Sequence, residues 1–304
     1  MKIGIDLGGS HIAIGVVNNN GVIVEKIEKR LTSTEKRNIK KSIEDYIVEN
    51  VNKLKGKYSI SAIGIAIPGA VEDGRIIDAV NLGIENFDIV DKLHENIDIP
   101  INIKNDAKCA AIAENEYGCL KKYDRSVCLT LGTGIGGAVI INNKLLDTGK
   151  LPGCEFGHMI IQKNGLECKC GRKGCFEKYA SMKALKDNLR KALGYDEKTR
   201  GQELFDIIRN NKEENKNYNI IEGIVQEYIE NLAIGISNII MIFEPEVIGL
   251  GGSFVYFQEV LLPRLYVELK KRSGFYADKQ IKIETAVLGN DAGICGAAKM
   301  VLGD

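Results

Sequence analysis

The sequence predicts an α/β protein of two similar domains facing each other across a cleft, and three observations predict it. Short β-branched runs alternate with helical stretches along the chain, the pattern of strands and helices sharing layered cores. A length of 304 residues exceeds one compact core and suits two domains of about 100–200 residues each. The third observation is an internal repeat. At a fixed offset of 124, Leu7, Gly8, Asn18 and Asn19 fall on Leu131, Gly132, Asn142 and Asn143. Ile3, Ile5, Val16 and Val17 likewise fall on Val127, Leu129, Ile140 and Ile141. Any two hairpins share turn residues, but the common apolar phase, glycine turn and Asn-Asn turn make a duplicated half the better reading. The domains are expected at 1–119 with 290–304, and at 120–289.

The elements follow in order. "KIGIDLGGSHIAIGVVNNNGVIVEKIEKRL" reads as strand, Gly turn, strand, Asn-Gly turn, strand. Ile39, Ile43, Ile47, Val51 and Leu54 recur at helical spacing, so a helix follows. "SAIGIAIPGAV" is a buried strand running into a Pro-Gly turn, "FDIVDKLHENI" a short helix, "PINIKNDA" a strand and "KCAAIAENEYG" a helix. The repeated hairpin, 126–149, opens the second half. Helices are then expected over "YASMKALKDNLRKAL", "GQELFDIIRN" and the long "IIEGIVQEYIENLAIGISNIIMIF", which Pro245 stops. "EVIGLGGSFV" returns to strand and Gly turn, "VLLPRLYVELKK" is a helix, "IKIETAVLG" a strand, and "NDAGICGAAKMVL" a closing helix able to pack back on the first domain.

Composition excludes several classes of function. Lys plus Arg and Asp plus Glu each number 41, so no basic excess is present to hold nucleic acid. No apolar run approaches the roughly 20 residues of a membrane span, and "MKIGIDLGGS" enters a strand pattern without a signal peptide. A cytoplasmic protein is expected, in which the eight cysteines are thiols or metal ligands rather than disulfides.

Three glycine-rich turns leave strands: "DLGGSH" (6–11), "LGTGIGG" (131–137) and "GLGGSF" (249–254). Glycine amides without a Cβ can approach phosphate oxygens closely. Neither the dinucleotide fingerprint nor the Walker-type loop fits, because both need the glycines to open a helix. One such turn alone reads as a hairpin; three after apolar strands, two of them duplicated, read as phosphate cradles. Asp6 ends the first strand before Gly8, Gly9 and Ser10. A carboxylate there can hold Mg²⁺ beside nucleotide phosphates, or simply cap a turn. Asn105 and Asp106 stand where a strand gives way to an Ala-rich helix. One reading of such a position is a helix N-cap; the other is a general base that takes the proton of an attacking hydroxyl.

Cys168, Cys170 and Cys175 form Cys-x-Cys-x₄-Cys on a Gly-rich loop, three-quarters of a tetrahedral zinc site. Of the three histidines, His158 lies ten residues before Cys168 and is the expected fourth ligand, whereas His94 sits among Lys and Glu. Four protein ligands leave no open position, so the Zn²⁺ is expected to be structural. Cys109, Cys119, Cys128, Cys154 and Cys295 are scattered among apolar residues and read as core or near-core positions. Glu155 and Glu177 bracket the zinc loop. With Asn81, Asn105 and Asp106 they supply acceptors and amides able to read sugar hydroxyls, although either Glu alone could be a surface carboxylate.

Taken together, "GIDLGGSHI", "GIAIPGAV", "DAVNLG", "NDAKCAAIAE", "LTLGTGIGG", "EFGH", "CKCGRKGCFEKYAS" and "IGLGGS" resemble the ROK family (repressor, open reading frame, kinase), most of all its glucokinases, over nearly the whole chain. The resemblance implies an actin/hexokinase-like (ribonuclease H-like) fold with ATP and a hexose in the interdomain cleft. It implies Asp106 as catalytic base, and sugar contacts at Asn81, Asn105, Glu155, His158 and Glu177. The turns at Gly8, Gly9 and Ser10, at Gly132, Thr133 and Gly134, and at Gly251 and Gly252 would face ATP, with Mg²⁺ near Asp6. It further implies a homodimer or homotetramer. N-acetylmannosamine and N-acetylglucosamine kinases are alternatives within the family. Its repressors carry a helix-turn-helix ahead of the shared part, whereas here "GIDLGG" begins at residue 4, so a regulator is the lesser expectation. Two departures stand out. Ser10 and His11 replace the family's usual "GGT" threonine and the Thr or Lys after it, and Cys154 replaces a small residue before Glu155.

Overall fold

The computed structural model describes residues 1–146, 154–272 and 281–301. The end of the repeated hairpin stretch (147–149) and the last residue expected in the closing helix (302) lie outside them. The chain divides into two compact units, one of residues 1–122, 138–154 and 287–304, the other of 123–137 and 155–286.

The first sheet is made by β1 (Lys2–Leu7), β2 (His11–Val17), β3 (Ile23–Arg30), β4 (Ile63–Ile67) and β8 (Ile101–Asn105), in the order β3-β2-β1-β4-β8. The hairpin strands β1, β2 and β3 run antiparallel, and β4 and β8 add parallel to β1. Helix α2 (Ile39–Lys55) turns Ile39, Ile43, Ile47, Val51 and Leu54 inward, the face its periodicity predicts. They bury with Ile3, Ile5, Leu7, Ile63, Ile65 and Ile67 in one apolar core. The closing helix α10 (Ala292–Met300) does pack on the first domain, against β1, β4 and α4 (Asp106–Tyr117). Glycines permit that approach. A Cβ at Gly4 would overlap the backbone carbonyl of Ile294, and one at Gly64 that of Ala297, so helix and sheet touch backbone to backbone.

The second five-stranded sheet has the order β11-β10-β9-β12-β13, from β9 (Arg125–Leu131), β10 (Ile135–Ile141), β11 (Lys144–Leu145), β12 (Val247–Gly252) and β13 (Lys282–Thr285). Its strand order repeats that of the first sheet, and β12 and β13 add parallel as β4 and β8 do. Helices α6 (Met182–Leu193), α7 (Gly201–Arg209), α8 (Tyr218–Phe243) and α9 (Gln258–Arg272) complete the described part of the second half. α8 ends at Glu244, which takes the left-handed conformation (φ 43°) just before Pro245.

Three features differ from the sequence reading. A short helix, α1 (Ser33–Arg37), follows β3, started by a capping box in which Thr32 and Glu35 satisfy each other's backbone amides. The helix expected over 179–193 is two, because Ser181 stands in an extended conformation and caps α6 through Ala184 N, leaving α5 (Glu177–Ala180) a separate turn. A three-stranded sheet of β5 (Ala70–Glu72), β6 (Arg75–Ala79) and β7 (Ile84–Phe87) follows the expected Pro-Gly turn, over a stretch to which the sequence assigns no strand; its strands are too short to show an alternating signal. α3 (Ile89–His94) follows as expected.

Candidate functional site

The parallel strands of the first sheet bring their carboxyl ends level. Asp6 pairs with Ala66, and Ile67 with Asn105, so Asp6 and Asp106 emerge at one edge of the sheet, where open α/β sheets place their ligands. Burial pushes the Asp6 carboxyl up to about 7, the nearby Asp106 carboxylate adds to the rise, and Lys26 opposes it. Asp106 is also raised above the ordinary carboxylate range, chiefly by burial. Asn105 and Asp106 share the first amide of α4 but differ beyond it. The Asn105 Oδ1 accepts from Ala107 N (3.0 Å) and Lys108 N (3.3 Å) and so caps α4, while its amide donates to Gly69 O (3.1 Å). Asp106 Oδ1 accepts from Ala107 N at 2.8 Å.

Gly8, Gly9 and Ser10 form the β1–β2 turn, closed by Gly8 N donating to His11 O at 2.9 Å. The His11 ring lies across Gly8, with Nε2 3.9 Å from Asp6 Oδ2. Asn81, in the β6–β7 turn, is exposed, and its carbonyl would lie 3.2 Å from a Cβ on Gly9. Two neighbours of Asp6 are not apparent in the sequence. Its carboxylate lies over Gly293 near the start of α10, and Lys26 reaches the same helix start through Asp291 at 2.9 Å. The one available signal is the paired glycines in "NDAGICG".

In the second unit, Leu131 pairs with Gly252 and Thr130 with Gly251. The turns at Gly132, Thr133 and Gly134 and at Gly251 and Gly252 therefore leave the same end of their sheet. Gly252 has φ 68°, a conformation that favours glycine. The donor atoms of His158, Cys168, Cys170 and Cys175 all lie within 4.8 Å of one another. Cys170 Sγ is 3.6 Å from Cys175 Sγ, and Cys168 Sγ 3.7 Å from His158 Nδ1. Zn–S bonds of about 2.3 Å in a tetrahedron set ligand atoms roughly 3.8 Å apart, so the cluster fits zinc. The loop reaches this shape through bridges pairing Ile160 with Cys175 and Glu167 with Lys173. Glu177 joins it: Cys168 Sγ donates to Oε1 at 3.3 Å, His158 Nδ1 lies 4.0 Å from that oxygen, and Oε2 would lie 2.5 Å from a Cβ on Gly134. One carboxylate thus spans the thiol cluster and a glycine turn. Glu155 is exposed, directly before the single 3-10 turn Phe156–His158 that carries the histidine. Cys109, Cys128 and Cys295 are buried, and Cys119 and Cys154 partly so.

Among the described residues no helix is long and apolar enough to cross a membrane. The ROK family profile matches residues 2–304. A xylose repressor of Caldicellulosiruptor bescii is 30% identical over 99% of this chain and 78% of its own length. A glucokinase of Thermotoga maritima is 29% identical over 98% and 96%. Among solved structures, a ROK family glucokinase from Streptomyces griseus in complex with glucose and AMPPNP aligns at TM-score 0.80 and 27% identity, over 98% of both chains. A Listeria monocytogenes protein provisionally named an N-acetylmannosamine kinase aligns at TM-score 0.79 and 27% identity, also over 98% of both.

Proposed function

The chain belongs to the ROK family, and from that premise we propose that it is an ATP-dependent hexose 6-kinase acting on glucose. The observation that carries this reading is the β8–α4 junction. Asn105 caps the helix, so Asp106 is available as a base, and burial raises its proton affinity toward the range useful for proton transfer near neutrality. Asp106 takes the proton of the sugar 6-hydroxyl as that oxygen attacks the γ-phosphorus, and ADP leaves. The glycine turns at 8–10, 132–134 and 251–252 hold the phosphates. Mg²⁺ near Asp6 neutralises their charge when bound. Asn81, Asn105, Glu155, His158 and Glu177 read the sugar hydroxyls, and zinc on His158, Cys168, Cys170 and Cys175 holds the loop that presents His158 and Glu177. The likeness to a glucokinase structure containing glucose and AMPPNP supports the choice of glucose and ATP. With it goes a cytoplasmic homodimer or homotetramer, testable by light scattering.

A second reading, an N-acetylmannosamine kinase, is favoured by the equally extensive likeness to the Listeria protein. ADP release measured with glucose, mannose, fructose, N-acetylmannosamine and N-acetylglucosamine separates the two. Glucose is expected to give the highest kcat/KM; a higher value for an N-acetylhexosamine selects the second reading, and no turnover with any of them sinks both.

A further inference from the structure

Lys186 has a setting to which the function above gives no role. It lies in the second turn of α6. Its stem runs beside Gly201 at the start of α7, and its Nζ donates to Ser253 Oγ at 3.4 Å. Ser253 directly follows Gly252 at the end of β12. The start of the same helix is tied to the other glycine turn of this unit, through Lys183 N donating to Gly132 O at 3.0 Å. One helix thus touches both turns, and Lys186 reaches to the rim of the second.

Among the described residues, no carboxylate forms an ion pair with this ammonium. The neighbouring Asp187 is engaged by Lys183 and by Arg190, whose Nη1 donates to it at 3.1 Å. Among the described residues, the hydrogen bond of Lys186 goes to a neutral hydroxyl. Burial, and then the charge of Arg190, lower its proton affinity, while the charge of Asp187 opposes them. A partly desolvated cation with only a hydroxyl partner lacks the compensation that an anion would give it. Glycine turns, with no Cβ to bar an approaching oxygen, supply the rest of an anion site.

We propose that Lys186 is a nucleotide-binding residue whose ammonium contacts an oxygen of the phosphate chain held at the turns 132–134 and 251–253. The assignment rests on the kinase reading for the identity of the nucleotide, and on the geometry of the second unit for the contact. The competing role is purely structural, the fastening of α6 to Ser253.

The test compares the wild type with Lys186→Met, which keeps the stem, and Lys186→Arg, which keeps the charge. KM for ATP is measured at saturating glucose, KM for glucose at saturating ATP, and inhibition by inorganic tripolyphosphate against ATP. Losing a hydrogen bond to a charged group is expected to raise KM for ATP and Ki for tripolyphosphate about ten-fold or more in Lys186→Met. KM for glucose should stay unchanged, and Lys186→Arg should recover most of the loss. An unchanged KM for ATP in Lys186→Met overturns the proposal. So does a raised KM with unchanged tripolyphosphate inhibition, which moves the contact off the phosphates, or a loss shared by ATP, glucose and the melting temperature, which marks a structural role. If the wild type phosphorylates no hexose, the kinase reading fails by itself. Calorimetric binding of AMPPNP and tripolyphosphate to wild type and Lys186→Met then decides Lys186, and absence of binding to the wild type overturns both.

Discussion

At the scale of single residues, the junction of β8 and α4 shows what adjacent positions can divide between them. Asn105 and Asp106 both suit a cap in sequence; in the structure Ala107 N donates to both and Lys108 N to Asn105. Residue types alone leave the base undecided, since capping depends on backbone direction rather than on spacing. Replacing Asp106 by Ala should lower turnover about 10²–10⁴-fold while calorimetry still detects glucose binding; near-wild-type turnover would remove it from the chemistry. The pH dependence has a definite sign. The proposed base works ionised, and burial raises the Asp106 pKa above the ordinary 3.8, so kcat/KM should fall on acidification along a limb centred above that value. A limb centred at or below the ordinary value of 3.8 would contradict the buried setting.

At the scale of elements, legibility followed the strength of the local pattern. α2 and α8 are readable because each repeats apolar residues at helical spacing over many turns, and the Cys/His cluster because three thiols so closely spaced on a Gly-rich stretch suit a metal better than a core. β5, β6 and β7 are not, because three to five residues pairing with each other carry no period of their own. The break at Ser181 is hidden because the residues on both sides suit a helix. Glu177 stands out for its closeness to the cysteines, but its reach to Gly134 depends on the fold. Two expectations belong here. Elemental analysis should find one zinc per chain, and stripping it should weaken glucose binding far more than AMPPNP binding, because the loop carries Glu177 beside the cluster. Equal loss of both, or unchanged glucose affinity, would detach the zinc loop from sugar recognition. Gly64→Ala should destabilise the protein by about 1–3 kcal/mol or more, since its Cβ would meet the Ala297 carbonyl and neither backbone can move alone; thermal melting measures it, and an unchanged melting temperature would show that α10 yields freely.

At the scale of the whole molecule, the 124-residue offset is the most informative feature of the sequence. It points to two halves, and the two sheets do repeat one strand order. What it cannot convey is what the halves bind, because a family that contains both kinases and repressors shares the scaffold. Charge bears on that choice. Lys plus Arg equals Asp plus Glu at 41 each, and many lysines and arginines are paired on the surface with carboxylates, as in Lys26–Asp291, Lys57–Glu25, Arg75–Asp88 and Arg264–Glu222. Duplex binding draws on unpaired cations that displace condensed counterions, and its affinity falls steeply with salt. This chain should therefore leave operator-length duplex DNA unshifted in a gel at about 0.1 M salt, with or without glucose or xylose, while the same preparation releases ADP in the presence of hexose. A shift that weakens steeply as salt rises, without hexose-dependent ADP release, would place the chain on the regulatory side of its family.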